Sequence, residues 1–502
     1  MNNTKRQSGK AFVMLMAGCL WLILGIAHAS NSDLSKQVDR GMQLWNVPGM
    51  AVAVVRDGDV AFQQGFGATS IDGGAVVDEH TLFAIASTTK AMIAAGILIL
   101  ADDGKLSLDD LVIEHIPELH FGDSALNQQL TIRDLLAHRT GLPSTNLWVF
   151  MQGMALDEQI RRLRLVDSAS PPRARFIYQN TMYELAGLVI ERVSNQSWHE
   201  FIKARLWDRL EMHATFAARG MISDDKVHTL PHYYVHDALV LADWDLAADH
   251  ADAAGSVWSS IHDMTLWAQF LLRDGVTASG ERLISEAGMA AMFEPQHLVS
   301  PGDFYPTVEL TEPNWRSYGL GWFQQDFQGR KIDFHTGSLS GLIALIGLDR
   351  ENKDAVIVLG NRDHAEMRHA LLWEVMDHRS GQQRPDWNQT VFDLYQNRAE
   401  MGDQARAEMD EKRLNNTSPA LPLQSYAGQY RDAVVGDFAI ELVDGQLVLV
   451  TGILRIDMRH WHLDTFEAYK DEWDFRSFLS FQIGAAGTVT SMTVFGTTFQ
   501  KL

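Results

Sequence analysis

Three short clusters combine residue types that can do covalent chemistry. Ser87-Thr88-Thr89-Lys90 sets a hydroxyl and an amine three residues apart. On a helix the lysine then lies over the serine on one face, and a serine in the first turn sits near the positive end of the helix dipole. That arrangement supplies a nucleophile with a basic or cationic neighbour. Tyr178-Gln179-Asn180 offers a phenol that can relay a proton where neighbouring cations lower its pKa from about 10. Its asparagine adds an amide to hold a substrate or the lysine. His335-Thr336-Gly337, followed by Ser338, closes a predicted strand. There it would present a cation-capable ring, a hydroxyl and backbone N–H groups to a cleft, as needed to bind a carboxylate and stabilise an oxyanion.

Each cluster alone has an ordinary reading: a capped helix with a surface lysine, a packing tyrosine, a hydrogen-bonded structural histidine. Ser223-Asp224-Asp225-Lys226 repeats the first pattern and Tyr395-Gln396-Asn397 the second. Context separates them. Ser223 lies in a polar stretch, whereas Ser87 follows Leu82-Phe83-Ala84-Ile85-Ala86, and no Lys- or His-x-Gly follows Tyr395. His228, His232 and His236 recur every four residues and invite a zinc reading. Pro231 breaks the helix that spacing requires, and in an extended chain the outer pair lie too far apart to share one ion, so no metal or other cofactor is expected. Gly337-Ser338-Leu339-Ser340-Gly341 resembles an α/β-hydrolase elbow in outline but carries leucine where the nucleophile would stand.

The elements that must position these groups follow from hydrophobic patterning. Met50 to Arg56 and Val60 to Phe66 flank Asp57-Gly58-Asp59, which reads as a hairpin at a sheet edge. Ser87 to Ala101 is almost wholly apolar after Lys90 and stops at Asp102-Asp103-Gly104, the pattern of a helix buried on every side and ended by glycine. Further helices are predicted over Ile132 to His138, Met182 to Arg192 and Met264 to Leu272. Four apolar runs, Tyr318 to Phe327, Ile332 to His335, Leu342 to Leu348 and Ala355 to Leu359, are separated by turn-like stretches and predict consecutive antiparallel strands. Residues 386–420 form a charge-dense helix and linker. Beyond it Phe438 to Leu442, Leu447 to Val450, Phe466 to Tyr469, Phe478 to Ile483 and Ser491 to Phe495 read as short strands of a separate all-β domain, 421–502.

Composition narrows the function classes. The 502 residues are 46% hydrophobic, 21% charged and 9% aromatic, an ordinary globular balance. Lys plus Arg total 42 against 64 Asp plus Glu, a formal charge of −22 that disfavours binding to nucleic-acid phosphates. Residues 1–29 read as an export signal: Lys5, Arg6 and Lys10 are followed by an apolar run from Ala11 to Ile26 and the small-x-small site Ala27-His28-Ala29. Cleavage removes three cations and no acid, taking the charge to −25 and the single cysteine, Cys19, with it. The mature chain is then exported, periplasmic or secreted, and meets a membrane only if this segment is retained as an anchor, whether uncleaved or lipidated at Cys19.

In the order Ser-x-x-Lys, Tyr-x-Asn, His-Thr-Gly, the three clusters resemble the serine β-lactamase and penicillin-binding-protein superfamily. Trp45-Asn46-Val47-Pro48-Gly49-Met50, the stretch from Thr131 to Leu142 (Thr-Ile-Arg-Asp-Leu-Leu-Ala-His-Arg-Thr-Gly-Leu) and Tyr318-Gly319-Leu320-Gly321-Trp322 are similar to the class C branch. The tail, notably His460-Trp461-His462-Leu463-Asp464-Thr465-Phe466, resembles the β domain appended to some of these hydrolases. The resemblance implies an α+β fold: an antiparallel β-sheet flanked by helices with an all-helical subdomain over 30–385, plus a small C-terminal all-β barrel-like domain. It implies Ser87 as the nucleophile of an acyl-enzyme, with Lys90 and Tyr178 sharing the proton work and either able to be the base. Asn180, His335, Thr336, Gly337 and Ser338 would bind substrate, with backbone N–H groups of Ser87 and Ser338 as oxyanion donors. His335 departs from the lysine of β-lactamases. Histidine there occurs in D-stereospecific peptidases, D-Ala-D-Ala carboxypeptidases and esterases, so D-amino-acid peptides or peptidoglycan fragments lead as substrates. A β-lactamase, a carboxylesterase and a non-catalytic penicillin-binding-like receptor are the alternatives. A histidine at this place would titrate near 6.5, within the working range of pH. Trp148 to Met151 wall the substrate site or anchor a loop.

Overall fold

Runs of apolar residues without alternation form strands only where both faces of a sheet are covered, and the central strands here obey that rule. The computed structural model describes residues 33–242, 249–379 and 384–502; the signal reading and Cys19 lie outside the described residues. Eight strands, β1 (Gly49–Arg56), β2 (Asp59–Gly67), β3 (His297–Leu298), β4 (Arg316–Tyr318), β5 (Phe323–Phe327), β6 (Arg330–Leu339), β7 (Leu342–Asp349) and β8 (Asp354–Gly360), form one antiparallel sheet in the order β2-β1-β8-β7-β6-β5-β4-β3. Side chains alternate between its two faces. Ala51, Ala53 and Val55 join one hydrophobic cluster and Met50, Val52 and Val54 the other. Ala344, Ile346 and Leu348 likewise oppose Ile343 and Leu345.

Helices α1 (Thr89–Asp102), α2 (Asn180–Ser194) and α3 (Ile261–Leu272) contribute to the first cluster. Helix α4 (Met367–Met376) and the start of α5 (Trp387–Glu411) cover the second face. Every residue of α1 from Thr89 to Leu100 is buried, so its apolar sequence reflects burial all round rather than an amphipathic face. It stops where Gly104 adopts φ +69° and donates its N–H to the Ala101 carbonyl. No helix among the described residues is long and apolar enough to cross a membrane.

The run from Tyr318 to Phe327 proves to be two strands, β4 and β5. Gly321, at φ +84°, turns between them, and a Cβ there would lie 3.0 Å from the Ala91 backbone. Bulk at that turn would therefore push it off the start of α1. Residues 428–501 close into an eight-stranded antiparallel barrel, joined by Tyr430 to Lys501 and Arg431 to Gln500, which leaves no free edge. Gly428–Asp432, Arg455–His462 and Thr497–Lys501 are strands beyond the five apolar runs. Arg455–His462 alternates buried Ile456 and Met458 with outward Arg455, Asp457 and Arg459 before its register shifts near His460, so its period-2 pattern lacks an apolar run.

Candidate active site

Ser87 sits in a tight turn, Ala86–Thr88, between strand Leu82–Ala84 and α1. Ala86 holds φ +47°, a conformation costly for a residue with a Cβ. Thr88 pins the turn by donating both its N–H and its hydroxyl to the Ile85 carbonyl. The result leaves Ser87 partly exposed while Lys90, one turn on, is fully buried. Lys90 Nζ lies 3.0 Å from Ser87 Oγ, 2.8 Å from Asn180 Oδ1 and 2.7 Å from the Ala254 carbonyl. Burial pushes the amine well below its ordinary range, and the nearby Glu184 opposes this. A neutral amine in that position aims its lone pair at the serine proton, and an ammonium can satisfy all three acceptors.

Tyr178 is half-buried, with Lys90 Nζ 4.9 Å from its ring centroid. Burial raises the phenol far above its usual value, and a hydrogen bond with the Ser87 side chain opposes that rise. The expectation that neighbouring cations lower the Tyr178 pKa is therefore corrected: burial dominates and favours the neutral phenol. Asn180 begins α2; its Oδ1 receives Lys90, and its backbone N–H and Nδ2 both donate to Asn146 Oδ1, at 3.3 and 3.1 Å.

His335 requires a second correction. Its ring is buried, with Tyr178 at 6.2 Å, Tyr318 at 5.9 Å and Phe323 at 5.3 Å between centroids. Nδ1 lies 2.6 Å from the Thr336 carbonyl, and Nε2 lies 3.0 Å from the Tyr318 hydroxyl. Because a carbonyl can only accept, the ring donates from Nδ1, and with the ring neutral Nε2 is left to accept from the Tyr318 hydroxyl. Burial, and then Lys90, push its pKa down to about 3. The expected titration near 6.5 and the exposed carboxylate-binding cation are thus overturned by an aromatic, desolvating shell.

Thr336 is buried, and its hydroxyl pairs with the Tyr305 hydroxyl at 2.6 Å. Gly337 brings β6 against the nucleophile turn: a Cβ there would lie 2.2 Å from the Ile85 carbonyl oxygen. Ser338 is partly exposed. Arg368 of α4 donates to the Gly337 carbonyl at 2.6 Å and to Ser338 Oγ at 2.8 Å. Its remaining nitrogens grip Glu366, which also pairs with His369 Nδ1 at 2.7 Å. Burial works against the Glu366 carboxylate, but Arg368, His364 and His369 hold its pKa well below the ordinary range.

Several residues here were not singled out from the sequence. His138 packs against Tyr178, the ring centroids 4.3 Å apart and the planes tilted by 41°, and accepts the Gln179 N–H through Nδ1; it and Tyr318 lie within the motif stretches quoted above. Asn146, Glu184 and Arg368 carry no such local signal. The lookalikes lie elsewhere in the fold. The Ser223 hydroxyl donates to Asp225, and Tyr395 packs edge-on against Trp45. Of the three spaced histidines, His228 pairs with Arg219, His232 bonds the Asn361 carbonyl and the Ile71 N–H, and His236 sits in a turn at φ +50°.

Residues 34–404 match the family model described as Beta-lactamase, and residues 412–502 match one described as a domain of unknown function, DUF3471. Unguisins hydrolase ungD of Aspergillus violaceofuscus is 25% identical over 474 residues, covering 83% of this chain and 78% of that protein. Protein flp of Staphylococcus aureus strain N315 is 25% identical over 351 residues, covering 67% of this chain and 64% of its own. The octameric penicillin-binding protein homologue from Pyrococcus abyssi superposes with a TM-score of 0.61 at 22% identity, over 94% of this chain and 99% of that one. SurE, solved with D-Leu, superposes at 0.54 and 19% identity, over 95% and 100%. These structural likenesses share the fold.

Proposed function

The chain belongs to the β-lactamase family of serine hydrolases, and from that premise we propose that it is an exported hydrolase that cleaves amide, peptide or ester bonds through an acyl-enzyme on Ser87. The observation that carries the proposal is the pairing of a solvent-reachable Ser87 hydroxyl with a fully buried amine 3.0 Å away.

In this reading neutral Lys90 takes the proton as Ser87 Oγ attacks the substrate carbonyl. Tyr178, a neutral phenol, delivers its proton to the leaving nitrogen or oxygen as the bond to the acyl carbon breaks, and the lysine proton returns to the phenolate. Water then attacks the acyl-enzyme by the reverse transfers, releasing the acid and restoring Ser87. Backbone N–H groups of Ser87 and Ser338 hold the oxyanion, each such donor being worth about 3 kcal/mol in a transition state.

D-amino-acid amides, peptides and peptidoglycan fragments are the leading substrates. The presence of D-Leu with SurE supports that class, and the hydrolase name of the Aspergillus relative supports hydrolysis as the reaction. Within it, aminopeptidase-like or ester substrates without a free carboxylate beside the scissile bond fit best. His335 is neutral and Arg368 is already paired with Glu366, so neither offers an uncommitted cation to a substrate C-terminus.

A fluorophosphonate probe followed by peptide mass spectrometry tests the reading. Ser87 is expected to carry the label and S87A to carry none; native protein labelled no more than S87A would favour a receptor. Turnover of D-alanine p-nitroanilide well above that of an acyl-D-Ala-D-Ala peptide and of nitrocefin would support the substrate preference, and the reverse order would overturn it.

A further inference from the structure

The five-residue helix Asn146–Phe150 lies between the candidate active site and the C-terminal barrel. A helix this short is unstable by itself and must be held by its surroundings. Its N-cap residue, Thr145, makes no side-chain capping bond, instead pairing its hydroxyl with Thr181 at 2.9 Å. The barrel supplies much of the remaining hold. Met151 belongs to the barrel's own hydrophobic cluster, and Leu147 packs against it. Trp148 Nε1 donates to the Val434 carbonyl at 2.9 Å. The Met151 carbonyl accepts from the Thr451 hydroxyl at 2.5 Å and from the Ile453 N–H at 3.2 Å. Gln152 reaches the Asp437 carbonyl and the Gly452 N–H at 3.1 Å each.

The other side of the same segment faces the chemistry. Asn146 Oδ1 is the shared acceptor for the backbone and side-chain N–H groups of Asn180, whose Oδ1 holds Lys90. Phe150 packs against the cluster that includes Ala84, Ala86 and Leu339, the residues flanking Ser87 and ending the His-Thr-Gly strand.

We propose that the C-terminal barrel is a positioning part of the active site: by gripping the Asn146–Phe150 segment it keeps Asn146 on Asn180, and Asn180 on Lys90. The proposal rests on the serine-hydrolase reading above. Val434, Thr451 and Trp148 are then positioning residues that touch no substrate. They act on the base through two amides, and a barrel that merely shared the chain would have no such route.

The test uses the full chain. Trp148→Phe with Thr451→Val removes one hydrogen bond from the barrel to the helix and one to Met151, which follows it; Asn146→Ala removes the amide acceptor directly. The readouts are the fluorophosphonate labelling rate of Ser87 against pH and the thermal transition. Asn180 Oδ1 favours the charged amine, so loosening it lowers the pH midpoint of labelling. Both variants are expected to label about tenfold more slowly at neutral pH and to shift that midpoint downward by about half a unit. Gln152→Ala, a milder loosening of the same contact, is expected to move both readouts in the same direction. Arg455→Ala, which breaks an exposed pair with Glu441 on the barrel, is expected to leave both unchanged. Wild-type labelling rates and midpoints in W148F/T451V or, should that variant not fold, in Q152A, would overturn the positioning role. So would slower labelling in R455A equal to that in Q152A, which would make the effect one of general stability. A native protein that fails to label Ser87 would overturn the hydrolase reading itself.

Discussion

The Tyr318 hydroxyl lies 3.0 Å from His335 Nε2 while Nδ1 faces the Thr336 carbonyl, and with the ring neutral the tyrosine is the donor. Together with burial, which pushes the ring down to about 3, this keeps His335 uncharged from pH 5 to 8. His335→Asn is therefore expected to slow Ser87 labelling severalfold without moving the pH midpoint. The folded protein resists a proton that the unfolded chain accepts below 6.5, so His335 makes stability fall as pH drops from 6.5 towards about 3. Urea melts of H335N at pH 4 and 7 should show a smaller pH dependence than the native protein. His335→Lys buries an unpaired ammonium beside Lys90 and is expected to cost about 3 kcal/mol.

Tyr178 is buried enough to hold its proton, and the Ser87 side chain is its hydrogen-bonding partner. A neutral phenol matters most where the leaving group needs a proton. Tyr178→Phe is therefore expected to cut amide turnover by about 100-fold or more, within the range of general-acid effects. Cleavage of a p-nitrophenyl ester, whose leaving group departs as an anion, should fall much less. Equal losses on matched amide and ester substrates would assign the phenol a packing role.

Ser87, Lys90, Tyr178 and Asn180 lie in one cluster, and two of the four could be placed by local rules, a serine heading an apolar helix and a lysine one turn on; Asn180 opens a helix whose apolar pattern begins only at Met182. The buried central strands were legible for the same reason, since their apolar runs reflect cover on both faces. The charge state of His335 was not legible. Its type and strand position are local, but its aromatic shell comes from Tyr178 and from neighbouring strands. Asn146, Glu184 and Arg368 escaped for a related reason. Each gains its role from partners brought together by the fold, as when Arg368 reaches Gly337 and Ser338 from α4.

Glu184 lies one turn beyond Asn180 on α2, buried, with Oε2 accepting from Gln159 at 2.8 Å. Burial first, and Asp252 second, raise its pKa to about 8. The folded protein thus keeps a proton that the unfolded chain releases near 4.5. Its contribution to stability is whole below that pH and is lost as pH rises through about 8, a change on the order of a few kcal/mol. Glu184→Gln is expected to flatten this dependence between pH 4.5 and 8, read by denaturant melts. Below about 8 the acid carries no charge, so the substitution should leave the pH midpoint of Ser87 labelling in place; a downward shift would mean that the carboxylate is ionised beside Lys90.

Arg368 and Glu366 are both nearly inaccessible and make a two-pronged pair while Arg368 also holds the Gly337 carbonyl and Ser338 Oγ. Removing one member of a buried pair leaves the other charge uncompensated, a loss of about 3–5 kcal/mol, whereas replacing both can be nearly neutral. Arg368→Met is thus expected to destabilise strongly, and Arg368→Met with Glu366→Leu to recover much of the loss; His369, left without its carboxylate, keeps the recovery incomplete. Activity should not follow stability. Without the guanidinium nothing ties Ser338 to α4 through these bonds, so the double variant should remain about tenfold slower in kcat than the native enzyme on a D-amino-acid amide. A double variant with restored stability and native kcat would limit Arg368 to the fold.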